Sequence, residues 1–378
     1  EPVTDGRGTG RIKKRHISFA WGPTADQSLK RIDRIEFTIA SYVGGKGTIR
    51  LDQLDFEPLP PETDQYPVPE ITASSVLKSH TTDRMTDNSS ETGWQSTGSK
   101  GQYVLVDFKT RREFGGLQID WLKGHYAVDF DILLSMDGKE WEKAYQVQSN
   151  RGGTSFIRLP EAEAQYLKID LKKSIMEKWF GIAEIKFLTI KNSLTTNDFL
   201  IYTAKNSPPG SYPRSFLEQA TYWTITGVNN DVKEAMISED GMVEVDKGLF
   251  SIEPMIRTVD SLYNWSNVKS SQVMGFPGDS GFSFVPSVTW DFDEIHFTTG
   301  ISAIGNANKD SRLVIRYLFD NQSGTNKDFL FYLLIRPFQV NPYYQWLNLT
   351  GGAGKISMIR EADNGMIAVD GKMILPSI

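Results

Sequence analysis

The chain has 378 residues, of which 21 are Phe, 14 are Tyr, 9 are Trp and only 17 are Ala. Because Ala is the best helix former and aromatic residues favour strands, this composition excludes a helical bundle and a doubly wound α/β enzyme. The net charge of −6 argues against a nucleic-acid partner, and the absence of Cys excludes disulfide bonds and thiolate metal sites. No apolar run of the sequence reaches the length of a membrane span.

The first predicted block covers residues 1–58. Apolar residues such as Ile35, Phe37 and Ile39 are spaced by two, which predicts a meander of three or four strands. A single meander is thin for an independent domain, so we expect a partial jelly roll whose beginning is missing. Residues 59–70 are rich in Pro and predict a stiff linker.

The second predicted block covers residues 71–191. Buried or alternating apolar runs recur every 10–15 residues, and Asp137-Gly138 between two of them is a strong hairpin signal. This pattern predicts an antiparallel β-sandwich.

The third predicted block covers residues 192–378. Long apolar strands are separated by turn pairs such as Asp240-Gly241 and Asp370-Gly371, which indicates one large two-sheet sandwich. Helix signals are sparse, and a short helical turn is expected only at residues 215–220.

Residues 71–191 also carry a set of short motifs in a fixed order. They are A-S-S at 73–75, T-G-W at 92–94, S-M-D-G-K-E-W at 135–141, Y-L-K-I at 166–169 and G-I-A-E-I at 181–185. Together they resemble the discoidin domain, also called the coagulation factor 5/8 type C domain, which includes many bacterial sugar-binding modules. The resemblance implies an eight-stranded jelly-roll sandwich.

The flanking blocks resemble other modules of large bacterial proteins. Residues 1–58 are similar to the C-terminal half of a galactose-binding-like jelly roll. Residues 192–378, with Tyr212-Pro213-Arg214 and Arg336-Pro337-Phe338, look like the β-supersandwich that precedes an (α/α)6 barrel in glycoside hydrolases. We therefore expect an all-β chain of consecutive β-sandwiches: a partial jelly roll, a discoidin-like jelly roll and a larger supersandwich-like domain. The barrel is not in this sequence, and the resemblance makes it the expected catalytic partner.

The discoidin resemblance implies a structural calcium site. By motif, its ligands would be Asp87, Ser89, Thr92 and Glu184, with backbone carbonyls completing the oxygen shell that this hard cation needs. Asn88 stands where the family usually has Gly, and Ser89 offers less charge than the usual Asp or Asn. A bound sodium, no ion, or a plain turn at Asp87 with Glu184 as a surface charge are the alternatives.

The same resemblance implies a carbohydrate site on the loops at one end of the sandwich, because a rigid scaffold can hold binding loops there. An exposed aromatic ring would stack on the sugar, and Trp179 and Phe180 lie in the last loop, where relatives often place it. The expected hydrogen-bonding residues are His125, Lys123 and His80. The alternative for Trp179 is a lid over the core, and Trp94, Trp121 and Trp141 are predicted to be core residues.

The sequence therefore predicts a non-catalytic carbohydrate-binding and scaffold portion of a bacterial protein, periplasmic, secreted or on the cell surface. Its expected partners are a glycan or polysaccharide and the catalytic barrel. One alternative is a glycosidase active site in the third block, with carboxylates about 5–10 Å apart in a cleft. Its candidate acids are Glu239, Asp240, Asp291, Asp293 and Glu294. The other alternative is a protein-interaction or adhesion module.

Overall fold

The computed structural model describes Arg34 and residues 66–279, 284–345, 351–362 and 365–374. The predicted partial jelly roll at 1–58 and most of the linker at 59–70 lie outside these described residues. The chain divides into two compact units between Leu194 and Thr195.

The described part of the first unit is built from seven β-strands and two short 3-10 helices. The strands are β1 (Glu70–Ala73), β2 (Trp94–Gln95), β3 (Gln102–Trp121), β4 (Ala127–Ser135), β5 (Glu142–Val147), β6 (Thr154–Ser174) and β7 (Gly181–Leu188). The 3-10 helices are Thr82–Met85 and Ile190–Asn192. All strand pairs are antiparallel, in the order β2-β7-β3-β6-β4-β5, with β1 added beside β3.

The long strands β3 and β6 let one continuous sheet fold over itself. Their pairing shifts register between Asp107 and Arg112 and again between Phe114 and Gly116. Such irregularities bend a strand, so each half of β3 and β6 lies in a different layer. Between the layers lies an apolar core that includes Trp94, Trp121 and Phe130.

The alternation of side chains explains which face of each strand is buried. In β3 the core side chains Val104 and Val106 are fully buried, and Leu105 between them is half-buried on the other face. Trp94 and Trp121 are core residues as predicted. Trp141 differs from the prediction, because it lies just before the edge strand β5 and is half-buried on the surface of the sheet.

The second unit contains one α-helix, α1 (Thr196–Lys205), in its described residues, and a 3-10 helix at Arg214–Leu217. Its strands are β8 (Trp223–Gly227), β9 (Glu234–Ser238), β10 (Val243–Glu244), β11 (Ser251–Arg257), β12 (Leu262–Tyr263), β13 (Lys269–Met274), β14 (Pro286–Phe292), β15 (Ile295–Ile304), β16 (Arg312–Asn321), β17 (Leu330–Arg336), β18 (Ile359–Ala362), β19 (Met366–Val369) and β20 (Lys372–Ile374).

These strands form a six-stranded, a four-stranded and a three-stranded antiparallel sheet. The predicted Asp-Gly turns are present, with Asp240-Gly241 between β9 and β10 and Asp370-Gly371 between β19 and β20. The largest core of this unit lies between the first two sheets and includes Ile237, Trp290 and Phe297. The all-β prediction is confirmed, and α1 is an element that it missed.

Candidate functional site

The loop before β7 holds Trp179 in a fixed position at one end of the first unit. The Ser174 hydroxyl donates to the Trp179 carbonyl over 2.7 Å, and the Phe180 backbone N–H donates to Ser96 Oγ over 2.8 Å. The peptide group between Trp179 and Phe180 is therefore anchored to the scaffold on both its oxygen and its nitrogen, so the half-buried ring needs little further ordering to meet a ligand.

Trp179 and His125 form a side-chain pair. The indole Nε1–H donates to His125 Nδ1 over 2.6 Å, and the two ring centroids are 5.8 Å apart. Because the indole nitrogen can only donate, Nδ1 must be the acceptor, and a neutral His125 carries its proton on Nε2. The Nε2–H group is then free for another acceptor. The same loops are joined by the Gly181 N–H, which donates to the His125 carbonyl over 2.6 Å.

Two lysines add positive charge around this pair. Lys178 Nζ lies 5.9 Å from the centroid of the Trp179 ring, and Lys123 is exposed in the loop that carries His125. The structure thus brings together Trp179, His125 and the loop of Lys123, with Lys178 as a residue that the sequence analysis did not select as a ligand.

The other two predicted sugar contacts, Phe180 and His80, do not belong to this side-chain pair, and the role of His80 stays a prediction. Phe180 is 0% exposed and belongs to the core, so its side chain cannot stack on a ligand, and this part of the prediction is wrong. His80 donates from Nδ1 to the Gly93 carbonyl over 3.2 Å and makes no hydrogen bond or ring contact to Trp179 or His125 in the described residues. The signal available in the sequence was the spacing of two residues between Phe180 and Ile182, which both belong to the core.

The four predicted calcium ligands do lie close together. Asp87 Oδ1 accepts from the Ser89 N–H over 2.9 Å, and Asp87 Oδ2 accepts from the Thr92 hydroxyl over 2.6 Å. Glu184 Oε2 accepts from the Asn88 N–H over 3.1 Å, which joins this loop to β7. Asn88 has a φ of 61°, a left-handed conformation that Asn tolerates better than most residues do, so it can replace the usual Gly.

Two carboxylates, Asp87 and Glu184, make this loop electronegative. Burial raises the pKa of the Glu184 carboxyl, the Asn88 N–H opposes that shift, and the nearby Asp87 carboxylate adds to it. All the donors are oxygen atoms, as a hard cation requires, and a cation would relieve the repulsion between the two carboxylates. The donor chemistry therefore fits calcium. Nevertheless, nowhere in the described residues do three or more acidic or His side chains form a metal-binding group.

The carboxylates suggested for a glycosidase site all pair with Arg, Lys or His side chains. Arg214 binds Asp240 through two hydrogen bonds of 2.7 and 2.5 Å and lies 3.4 Å from Glu239. Asp291 pairs with His296, and Lys327 lies 3.2 Å from Asp293 and 3.8 Å from Glu294. A glycosidase needs two carboxyl groups that flank the scissile bond, so their pairing with basic side chains argues against a catalytic pair among these five residues.

Comparison with known proteins assigns a family to part of the first unit. The family model for the F5/8 type C domain matches residues 70–185. No curated protein matches the chain at a significant level. In the described residues, no helix is long and apolar enough to cross a membrane.

Similar solved structures include chitosan-binding module 2 of a chitosanase/glucanase from Paenibacillus sp. IK-5, in complex with chitotriose. It is 18% identical, and the match covers 32% of this chain and 95% of that chain with a TM-score of 0.30. The CBM32 of AlyQ, in complex with 4,5-unsaturated mannuronic acid, is 22% identical, with coverages of 33% and 98% and a TM-score of 0.30. A pectin-binding carbohydrate-binding module is 23% identical, with coverages of 35% and 95% and a TM-score of 0.29.

The family prediction made from the motifs is therefore confirmed for residues 70–185. The order and spacing of those motifs correspond to the strands β1 to β7 and to the loops between them. Residues 70–185 of this chain form an F5/8 type C, or discoidin, domain.

Proposed function

We propose that the F5/8 type C domain binds a glycan at the loop end that carries Trp179. The observation that carries the proposal is the Trp179–His125 pair, which holds a half-buried indole on an anchored loop beside two lysines. Aromatic rings with a polar neighbour on a rigid loop are typical of binding sites that combine stacking with hydrogen bonds.

Each residue has a distinct role in this proposal. The indole N–H is already bonded to His125, so Trp179 offers the sugar only the face of its ring. His125 Nε2–H donates to a hydroxyl, and the Lys123 and Lys178 ammonium groups donate to further oxygens. None of these groups is placed to break a glycosidic bond, so the domain binds its ligand without changing it.

We call the proposed site at Trp179, His125, Lys123 and Lys178 the loop site. A glycan-array screen with purified protein tests it. Trp179→Ala should weaken binding at least about tenfold, the loss that corresponds to about 1.4 kcal/mol. Met176→Ala is the matched control, because Met176 is 51% exposed on the same loop and its side chain is not aromatic. Equal binding by Trp179→Ala and the unmodified protein would refute the stacking role.

A second candidate function rests on the apolar tip of the same loop. Ile175 and Met176 are 43% and 51% exposed, a feature that favours contact with a protein or another apolar surface. If the domain is a protein-interaction or adhesion module, the array shows no binding, and Met176→Ala weakens capture of its partner more than Trp179→Ala does.

We also propose that the loop at Asp87 binds a structural calcium ion. The residues that would hold it are Asp87, Thr92 and Glu184, together with Ser89 and backbone carbonyls. The ion would tie the loop before β2 to β7, and its charge would offset the repulsion between the carboxylates.

Thermal unfolding with and without calcium tests this proposal. Addition of calcium should raise the unfolding midpoint of the unmodified protein, and Glu184→Gln should abolish that increase. Glu91→Gln, at an exposed position in the same loop, should leave the increase unchanged. An equal response of both variants would show that the ion, if bound, lies elsewhere.

For residues 192–378 we infer a scaffold role beside a catalytic barrel in a bacterial glycoside hydrolase that acts in the periplasm, outside the cell or on its surface. The paired state of the five acidic residues supports a non-catalytic role. The test is hydrolysis of the glycan that the array identifies. Turnover by the purified chain that disappears in Asp291→Asn would contradict the inference.

A further inference from the structure

One flat face of the F5/8 type C domain carries an aromatic and cationic cluster that the loop site does not use. Leu105 of β3, Lys168 of β6 and Leu133 of β4 lie side by side in register across three strands. Their neighbours along each strand, such as Leu167 and Ile169, are fully buried in the core. Alternation therefore points these three side chains away from the core.

Lys168 lies between two aromatic rings on this face. Its Nζ is 5.0 Å from the centroid of Tyr103 and 5.0 Å from the centroid of Trp141. Tyr103 is 36% exposed and Trp141 is half-buried. We call these three residues the face cluster.

Lys168 differs from the other lysines of this face in having no acidic partner. Lys143 lies 3.1 Å from Asp131, and Lys172 pairs with Asp170. Within the described residues, Lys168 makes no ion pair, so its charge is offset by ring faces alone. A cation held by aromatic rings still has its N–H groups available for an anion.

The turn between β4 and β5, which leads into Trp141, is held by its own hydrogen bonds. Asp137 Oδ1 accepts from the backbone N–H groups of Lys139 and Glu140, each over 2.9 Å. These hydrogen bonds to the charged form lower the pKa of Asp137. Gly138, with a φ of 72°, lies against the Tyr166 ring. Trp141 therefore directly follows a hydrogen-bonded turn, which reduces the ordering that a ligand must impose on it.

The face cluster is separate from the loop site. Lys168 is six residues along β6 from Ser174, whose hydroxyl binds the Trp179 carbonyl. At about 3.3 Å per residue, the two positions are roughly 20 Å apart. One monosaccharide cannot contact both.

We propose that the face cluster is a second glycan-binding surface and that its ligand is an acidic polysaccharide, a chain of uronic acids. The pyranose rings lie against Tyr103 and Trp141, and a carboxylate accepts hydrogen bonds from Lys168 Nζ. Charge complementarity selects the acidic class, because Lys168 has no carboxylate partner among the described residues, while Asp131 and Asp170 on the same face already pair with lysines. A sheet face suits an internal stretch of a chain better than a single terminal sugar. The proposal does not depend on sugar binding at Trp179.

The test uses the full chain carrying Trp179→Ala, so that any loop-site binding is removed. The probes are oligogalacturonate and the same oligomer as its methyl ester, which keeps the rings and removes the charge, measured by calorimetric titration. The acid should bind more tightly than the ester. Adding Lys168→Met should weaken binding of the acid about tenfold and abolish the preference over the ester. Adding Tyr103→Ala should weaken binding of both probes.

The matched control is Lys191→Met, which removes an exposed lysine that makes no ring contact in the described structure. It should leave both affinities unchanged, and thermal unfolding of each variant confirms that it is folded. Equal affinities for Lys168→Met and Lys191→Met, or no binding of the acid by the Trp179→Ala chain, would overturn the proposal. Loss of all binding in Trp179→Ala alone would instead support the loop site and refute the face cluster.

Discussion

Two arginines of this protein, the buried Arg112 and the half-buried Arg214, have opposite electrostatic surroundings. Arg112 is 8% exposed, and its guanidinium lies 4.1 Å from the centroid of Phe108 and 5.3 Å from that of Phe187. Desolvation lowers the pKa of Arg112 to about 10, and its Nε has no hydrogen-bond partner. Arg214 instead binds the buried carboxylate of Asp240 through two hydrogen bonds. Only the second arginine neutralises a buried charge.

The same substitution should therefore affect the two arginines differently. Arg112→Met should change the free energy of unfolding by less than about 1 kcal/mol, because it removes a buried charge and leaves no carboxylate unpaired. Arg214→Met should cost about 3–5 kcal/mol, because it leaves Asp240 buried without a counter-ion. Urea unfolding measures both values. A loss at Arg112 as large as that at Arg214 would show that the ring contacts outweigh desolvation.

The raised pKa of Glu184 predicts that the stability of the calcium-free protein depends on pH. Burial raises its pKa in the folded state, so between the unfolded and folded pKa values the folded protein binds more protons than the unfolded chain. The free energy of unfolding then falls as pH rises through that window, and the cost persists at neutral pH. Glu184→Gln should raise the unfolding midpoint by a few degrees at neutral pH in the presence of a chelator.

The difference in unfolding midpoint between Glu184→Gln and the unmodified protein should shrink at low pH. Below the ordinary pKa range of a glutamate, Glu184 is protonated in both the folded and the unfolded state. Glu91→Gln provides the comparison for removing an exposed charge from the same loop. If Glu184→Gln lowers the midpoint at neutral pH, the hydrogen bond from Asn88 stabilises the charged form more than burial destabilises it.

At the scale of elements, the bend in β3 depends on Gly116. This residue pairs with β6 at a register shift, pairs with β7 in regular register, and has a φ of 146°. A Cβ atom there would lie 2.0 Å from the Ile157 carbonyl oxygen. Gly116→Ala should cost at least about 1–3 kcal/mol from the backbone conformation, with a further cost from the clash.

Gly98→Ala is the matched control, since a Cβ at Gly98 meets no atom within 4 Å. It should stay within about 0.5 kcal/mol of the unmodified protein. A similar small effect of Gly116→Ala, measured by urea unfolding, would mean that β3 can bend without a glycine.

The sequence predicted those elements whose signals are local. Asp137-Gly138 and Asp240-Gly241 marked turns, and alternation of apolar residues marked the strands beside them. The helix α1 was missed although Thr195 and Asp198 form a capping box, because the short apolar run that follows them is weak. The bends of β3 and β6 come from pairing between distant segments, which no local pattern records.

The candidate sites show the same limit. The motif order placed Asp87, Thr92 and Glu184 together, and the structure agrees because these motifs lie on neighbouring elements. Trp141 and Phe180 were assigned the wrong surroundings, because a single position beside a turn does not show which face of the sheet it covers. The contacts of Lys168 with the Tyr103 and Trp141 rings depend on the order of the strands in the sheet, so the sequence alone did not reveal them.

At the scale of the whole molecule, each unit has its own apolar cores. The core around Trp94 and Phe130 consists of residues of the first unit, and the cores around Trp290, Phe338 and Phe250 consist of residues of the second. A unit with a complete core of its own can fold alone. The paired carboxylates belong to the second unit, and both proposed glycan surfaces belong to the first.

Residues 1–194 produced alone should therefore fold cooperatively and bind glycans with the affinity of the full chain. Residues 195–378 should also fold but bind none of the glycans that depend on Trp179 or Lys168. Calorimetry of the full chain should then show two transitions, and Arg214→Met should lower only the one that the isolated second unit reproduces. The cause is local, because Asp240, which loses its counter-ion, is buried within that unit. A fall in both transitions would mean that the units unfold together, and weaker binding by residues 1–194 would mean that the second unit contributes to the glycan surface.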